Sequence, residues 1–462
     1  MHKMLACLGM MEPFEPFTPP KGDADDALPQ PFTPPNGDAD DALPQPPTPP
    51  KGDDDDELPP LRPERAVASA RRIGKSARVE DGAVASVEDD ADEPSGPPDL
   101  DDRASLAFDG DDRAVLPRKL RGRRLRGLLD AAEATALEAR AAESAFADRA
   151  DSVDDRPAYE CVLYDRGRVL EPELWGLAAL AARRAAPALR AAFGYDALEP
   201  SQCLLRRYRP GERREHPPHF DAHAAVTLVV AVSDAAAYDG GYYALPDHGA
   251  TRRFVDLDRG SGFAHGWDLR HGVSVTRGSR VSLVCWFKPA ATVGDADGPG
   301  PWHVEAATRG DADALYALAS AAKRAADAAA DDVDAARSSW AAERALAAAA
   351  DAGSAEAAEL HGAALVADGD AVAGLARYAE AAGRGYARAM RHLASALLAG
   401  GGDEGRRAAL RWLRAAARGH DADAMYDLWA ADPGAAFAAA WLERAALLGQ
   451  PDAVARRRER AP

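Results

Sequence analysis

The sequence predicts a multidomain chain: a disordered N-terminal tail, a double-stranded β-helix (jelly-roll) domain with flanking helices, and an all-α helical-repeat domain. Three observations predict it. The first 102 of 462 residues are acidic and proline-rich. Residues 200–288 form a series of short β-branched and aromatic runs separated by turn signals. From Pro301 onward the chain is almost entirely alanine-rich helix-forming sequence.

The tail, residues 1–102, holds 24 Asp+Glu against 9 Lys+Arg, so most of the net charge of -19 sits there. Within it a 15-residue unit occurs three times: FTPPKGDADDALPQP from Phe17, FTPPNGDADDALPQP from Phe32 and PTPPKGDDDDELPPL from Pro47. Each unit joins Thr-Pro-Pro to an acidic patch and little apolar surface, too little to offset chain entropy, so disorder with local polyproline II is expected. A solvated spacer is one role for it; a docking segment or a hydroxylation substrate is another. The short apolar run before Pro13 is no secretory signal, and no run reaches the roughly 18 to 20 apolar residues of a membrane span. The four cysteines (Cys7, Cys161, Cys203, Cys285) form no CxxC pair, which argues against a zinc site or a disulfide framework. A soluble protein of the cytoplasm or nucleus is expected. An acidic chain without clustered Lys and Arg is a poor nucleic-acid binder, and no membrane partner is expected.

The predicted sheet domain covers residues 116–289. Residues 128–146 and 173–193 carry helical spacing of Ala and Leu, with a strand-like alternation at 159–163 between them. The basic run at 118–126 reads as the charged start of the first helix, with a nuclear address as the rival. Strands are expected at 203–208, 226–232, 253–257 and 281–287, separated by Pro-Gly, Asp-Gly-Gly and Arg-Gly-Ser turns. Short strands of this kind suit a double-sheet jelly roll.

The predicted repeat domain covers residues 301–460. DADALY from Asp311 matches DADAMY from Asp421, and WLRAA from Trp412 resembles WLERAA from Trp441 and YAEAA from Tyr378. Gly310, Gly353, Gly385, Gly419 and Gly449 are 43, 32, 34 and 30 residues apart, close to the period of stacked helical hairpins. The pattern resembles the tetratricopeptide-related Sel-type repeats. Stacked hairpins form concave surfaces, so protein-partner docking is expected here, on a unit that folds by itself.

Chemistry concentrates between Leu204 and Phe287. His219-Phe220-Asp221 is a His-x-Asp pair, His271 follows Asp221 by 50 residues, and Arg280 follows His271 by nine. Two histidines and a carboxylate with open positions opposite form the facial triad of non-haem Fe(II) oxygenases. Arginine offers a planar fork for the carboxylate at the far end of a co-substrate.

The run RRYRPGERREHPPHFDAHAAVTLVVAVSD, then YDGGYY, then GWDLRHGVSVTRGSRVSLVCWF, resembles the catalytic core of 2-oxoglutarate/Fe(II) dioxygenases. Within them it is most similar to the prolyl 4-hydroxylase-like group. The resemblance implies that His219, Asp221 and His271 hold Fe(II) and that Arg280 pairs with the distal carboxylate of 2-oxoglutarate. It places Tyr208 against the co-substrate, with Ser282 adding a hydroxyl to the same carboxylate. O2 is the oxidant, succinate and CO2 the by-products, and ascorbate the expected reductant. The implied substrate is a protein or peptide side chain, with proline expected. Collagen-type prolyl hydroxylases carry lysine at the basic position, one residue further on, so the arginine here places collagen-type substrate choice in doubt. A small-molecule substrate, another residue type, or a repeat scaffold with a vestigial oxygenase domain are the alternatives; the intact His219, Asp221, His271 and Arg280 oppose the last.

Three histidines compete with this assignment. His216 shares the HPPH segment but lacks the x-Asp partner. His265 lacks the Gly-Val continuation toward Arg280. His223 reads as a strand-edge residue or a supporting neighbour of the ligands. Trp286 and Phe287 are expected to fill the core.

Overall fold

The computed structural model describes residues 104–460 apart from 117–119, 152, 154–155, 247–251, 296–297, 328–331, 401 and 436. The tail repeats lie outside the described residues. Strands β1 (Ala104–Ser105) and β2 (Gly122–Leu125) precede helix α1 (Ala131–Glu143). Strands β3 (Ala147–Ala150), β4 (Pro157–Asp165) and β5 (Arg168–Val169) lead into helix α2 (Pro172–Phe193). Then follow β6 (Leu198–Tyr208), β7 (Glu215–His219), β8 (Val226–Ala231), β9 (Tyr238–Ala244), β10 (Arg253–Phe254), β11 (Gly262–Gly266), β12 (His271–Gly278) and β13 (Arg280–Pro289).

These strands form two sheets. The smaller runs β1-β10-β9-β12-β7, and the larger runs β2-β11-β8-β13-β6-β4-β3 with β5 paired to β4. The alternation of side chains along each strand explains the layering. On β8, Val226, Leu228 and Val230 pack under α2 with Leu163, Leu205, Leu283, Ala178, Ala182 and Leu189. The other parity, Val229 and Ala231, meets Tyr242, Ala244, Val273 and Val275 of the smaller sheet. Strand β8 is therefore buried on both faces. Phe287 is fully buried under the helices, and Trp286 is nearly so against Leu204 and Ala224.

Three expectations for the elements need correction. The basic run does not begin a helix. Gly122–Leu125 is a strand paired antiparallel to β11, from Leu125 opposite Gly262 to Gly122 opposite His265. A Cβ on Gly122 would stand 2.7 Å from the ring of Phe263, so this strand approaches the core through a glycine. The first helix starts at Ala131 because Asp130 caps it: its side chain accepts the Glu133 N–H while Glu133 returns a bond to the Asp130 N–H. Leu128 and Leu129 lie ahead of that cap, in the core rather than on the helix. The expected strand at 253–257 is only two residues long; Val255 still donates its N–H to the Tyr242 carbonyl, and Leu257 is buried beyond it.

The C-terminal region is helical from α3 (Pro301–Thr308) through α4 (Ala312–Asp327), α5 (Asp332–Ala352), α6 (Ala355–Ala367), α7 (Ala371–Gly383), α8 (Ala387–Gly400), α9 (Gly402–Arg418), α10 (Ala422–Ala431), α11 (Ala438–Leu447) and α12 (Pro451–Arg460). Gly310, Gly353, Gly385 and Gly449 adopt the left-handed φ that ends a helix. At the remaining turn the left-handed position falls on His420, not Gly419. Ser354, Asp370 and Asp421 accept backbone N–H groups and cap the helices that follow them. No helix among the described residues is long and apolar enough to cross a membrane.

The helices also touch the sheet domain. Arg156 pairs with Asp423 at 2.5 Å, Arg270 with Glu356 at 3.1 Å, and the Trp267 ring lies 4.4 Å from that of His303.

Candidate metal centre

Strand pairing assembles the site. In the β7–β12 ladder His219 stands opposite His271, and Asp221 follows in the turn that leaves β7. The two imidazole centroids are 4.4 Å apart. One ligand atom from each of His219, Asp221 and His271 lies within 4.8 Å of the others.

Hydrogen bonds set the direction of each donor. The Nδ1–H of His219 donates to the Pro217 carbonyl at 2.9 Å, and that of His271 to the Leu269 carbonyl at 3.0 Å. Each Nε2 is left with its lone pair, 3.5 Å and 3.4 Å from the two oxygens of Asp221. Thr227, buried in β8, donates its hydroxyl to Asp221 Oδ2 at 2.5 Å. Burial alone would raise the Asp221 carboxyl, but His271 and His219 outweigh it and hold it well below the usual carboxylate range. Burial holds His271 well below the ordinary imidazole value, against the opposing pull of Asp221. Two lone pairs and an anion thus converge, and a divalent cation satisfies all three at once. Imidazole nitrogen with one carboxylate is a donor set suited to Fe(II).

Arg280, Tyr208 and Ser282 are brought together as well. Arg280 pairs in register with Tyr208 across β13 and β6, and its Nη1 donates to Ser282 Oγ at 3.1 Å. The guanidinium carbon is 5.9 Å from the Tyr208 ring and 5.8 Å from the Tyr238 ring. Arg280 is 2% exposed, yet among the described residues no carboxylate pairs with it and its Nε has no partner. The Tyr208 hydroxyl is buried and unpartnered too. A buried cation with idle donors is a receptor for an anion.

The competing histidines have other surroundings. His216 Nε2 is 2.9 Å from Asp151 Oδ2, and its ring stacks on that of His219. Burial pulls its pKa down to about 3. His223 meets the edge of Trp286. His265 is fully buried, 4.4 Å from the His271 ring, with Nε2 unpartnered.

Thr227 and Tyr242 are site residues that the sequence did not single out, and His265 was weighed there only as a rival to His271. The Tyr242 ring lies 5.4 Å from that of His271. Burial raises its phenol well above the ordinary value; Asp221 raises it further and Arg280 opposes, so Tyr242 feels both ends of the pocket. Its parity with Ala244 on β9 was the available signal, as was the parity of His265 with Phe263 on β11.

No family model matches this chain, and no curated protein matches it. Among solved structures it is similar to an oxidoreductase of the 2OG-Fe(II) oxygenase family from Burkholderia pseudomallei, with 18% identity over 39% of this chain and 88% of that one, TM-score 0.31. It is similar to a Pseudomonas putida prolyl-4-hydroxylase, with 20% identity over 36% of this chain and 91% of that one, TM-score 0.28. It is also similar to a protective antigen present in uropathogenic Escherichia coli strains displaying an SLR fold, with 21% identity over 33% of this chain and 34% of that one, TM-score 0.28. Likenesses at this level assign no function.

Proposed function

We propose that this chain is an Fe(II)/2-oxoglutarate-dependent dioxygenase that hydroxylates a protein or peptide side chain, with proline as the expected target. The reading takes residues 116–289 as a jelly-roll catalytic domain, with the strand at Ala104–Ser105 added to its edge. Residues 301–460 are read as the repeat array and 1–102 as a tail. The supporting observation is one inter-sheet space that gathers Nε2 of His219 and His271 with the Asp221 carboxylate, and that buries the Arg280 guanidinium beside Ser282 and Tyr208.

The residues then have separate tasks. His219 and His271, oriented through their Nδ1–H bonds, present Nε2 to the iron, and Asp221 supplies the anionic ligand. Arg280 takes the distal carboxylate of 2-oxoglutarate with its fork, while Ser282 and the idle hydroxyl of Tyr208 add donors. That grip aims the keto acid at the three ligands, and the packed sheets exclude water. When bound, the iron couples oxidative decarboxylation of the keto acid by O2, to succinate and CO2, with hydroxylation of a substrate C–H bond. Ascorbate is the reductant the resemblance implies.

The test is succinate release by purified protein with Fe(II), 2-oxoglutarate and a peptide panel that includes the chain's own TPPKGDADD segment. Hydroxyproline in any peptide supports the full reading. Succinate that depends on Asp221 but without peptide hydroxylation supports the oxygenase and removes the substrate class. Turnover that survives Asp221→Ala sinks the metal assignment.

A further inference from the structure

We infer that the helical array is part of the metal centre's support, and that Glu356 is a positioning residue acting on His271 through Arg270. The inference rests on the reading of His219, Asp221 and His271 as metal ligands.

Arg270 immediately precedes His271 and is buried. Its Nε lies 3.1 Å from Glu356 Oε1, in the first turn of α6, and its guanidinium sits 5.2 Å over the Tyr386 ring. Its carbonyl accepts the Leu245 N–H at the end of β9. The backbone that aims His271 is thus held on one side by the sheet and on the other by a charge on a different part of the chain.

Two more contacts from the array reach the same site. Glu215 opens β7, four residues before His219, and pairs with Arg252 at 2.5 Å; the Arg252 Nη2 also lies 3.5 Å from the His420 carbonyl. The Arg252 guanidinium covers the Tyr243 ring at 4.4 Å, and the Tyr243 hydroxyl donates to the His216 carbonyl at 3.5 Å. Arg156 pairs with Asp423, and its carbonyl accepts the N–H of Asp151, the partner of His216. All three chains of contact end within a few residues of a ligand, or on a group that touches one.

Arg270 is buried and the Glu356 side chain is 12% exposed, so removing one partner leaves the other a poorly solvated charge. Ligands must be held to within about half an ångström for a metal site to keep its affinity. Removing a group that orients a ligand typically costs about 10- to 100-fold in metal affinity.

The experiment titrates Mn(II), a redox-silent stand-in for Fe(II), into the full chain by electron paramagnetic resonance. It compares E356Q, E356A and the charge swap R270E/E356R with wild type. E380Q is the control, because Glu380 pairs with Arg377 and Arg384 inside the array. The Kd for Mn(II) should rise roughly tenfold in E356Q and E356A, recover in part in the swap, and stay unchanged in E380Q. Circular dichroism and the urea midpoint of E356Q should match wild type, because glutamine keeps the shape of the side chain. Wild-type Mn(II) affinity in a folded E356Q overturns the inference. Loss of helical content in both Glu356 variants also overturns it, because the pair would then be a folding contact. A wild-type chain that fails to bind Mn(II) would instead remove the metal reading on which the inference depends.

Discussion

At the residue scale, the side chains of the proposed site can be tested one by one. Arg280 can be separated from the metal ligands by experiment. Arg280→Ala should weaken 2-oxoglutarate binding by about 10- to 100-fold, the worth of one charge-assisted contact, while Mn(II) affinity stays near wild type. Arg280→Lys should recover part of the loss as a point charge without the fork. Calorimetry with each ligand measures both, and unchanged 2-oxoglutarate affinity in the alanine variant removes Arg280 from the site. Thr227→Val keeps shape but deletes the hydroxyl bond to Asp221. It should weaken metal binding roughly tenfold with no loss of fold. The clustering of His219, Asp221 and His271 was expected from the sequence because the proposed chemistry demands those residue types at ordered spacings. Thr227 was not, because a threonine within VTLVVA reads as one more β-branched strand residue. Tyr242 and His265 matter only through which sheet each strand joins, and local sequence does not state that.

At the element scale, the ladder between β7 and β12 sets His219 opposite His271, and β7 was not among the strands expected from the sequence. EHPPH carries two prolines, which an edge strand of the smaller sheet tolerates. YDGGYY on β9 reads as a turn, and its left-handed Gly240 does sit beside an irregularity in the pairing with β12. Gly272 tests the ladder. A Cβ there would stand 2.4 Å from the Tyr243 hydroxyl and 2.6 Å from the His216 carbonyl. Gly272→Ala should therefore destabilise by about 1–3 kcal/mol and weaken metal binding together. Urea unfolding beside Mn(II) titration checks it, and an unaffected protein would show that the strands have room to part. A second element test uses pH. His303, at the start of α3, accepts the Gly300 N–H on Nδ1, and burial pulls its pKa from 6.5 to about 3. The unfolded chain then binds the extra proton first, so this contribution is complete above about pH 6.5 and is lost as pH falls toward 3. His303→Gln keeps a first-turn acceptor and should flatten the pH dependence between 4 and roughly 7. An equally steep acid limb in the variant would place its origin elsewhere.

At the scale of the whole molecule, contacts cross the boundary that the chain's periodicity suggests. A repeat pattern reports how helices stack on each other and carries no sign of what lies against the stack. Read that way, residues 301–460 look detachable. In the folded chain Glu215, Tyr243, Arg252 and Arg270 are all buried, and contacts with His420, Glu356 and Tyr386 are among the reasons. Ending the chain after Gly300 would leave Arg270 without Glu356 and expose Trp267 where it meets His303. Such a truncation should be poorly soluble, or should bind Mn(II) at least about tenfold more weakly than the full chain. Removal of residues 1–102 should instead leave the thermal midpoint and metal affinity unchanged, since their composition supports no core. Gel filtration and Mn(II) titration of the two shortened proteins decide the matter. A soluble 1–300 protein with full metal affinity would return the helices to a purely docking role, because a sheet that aims its ligands unaided has no need of them.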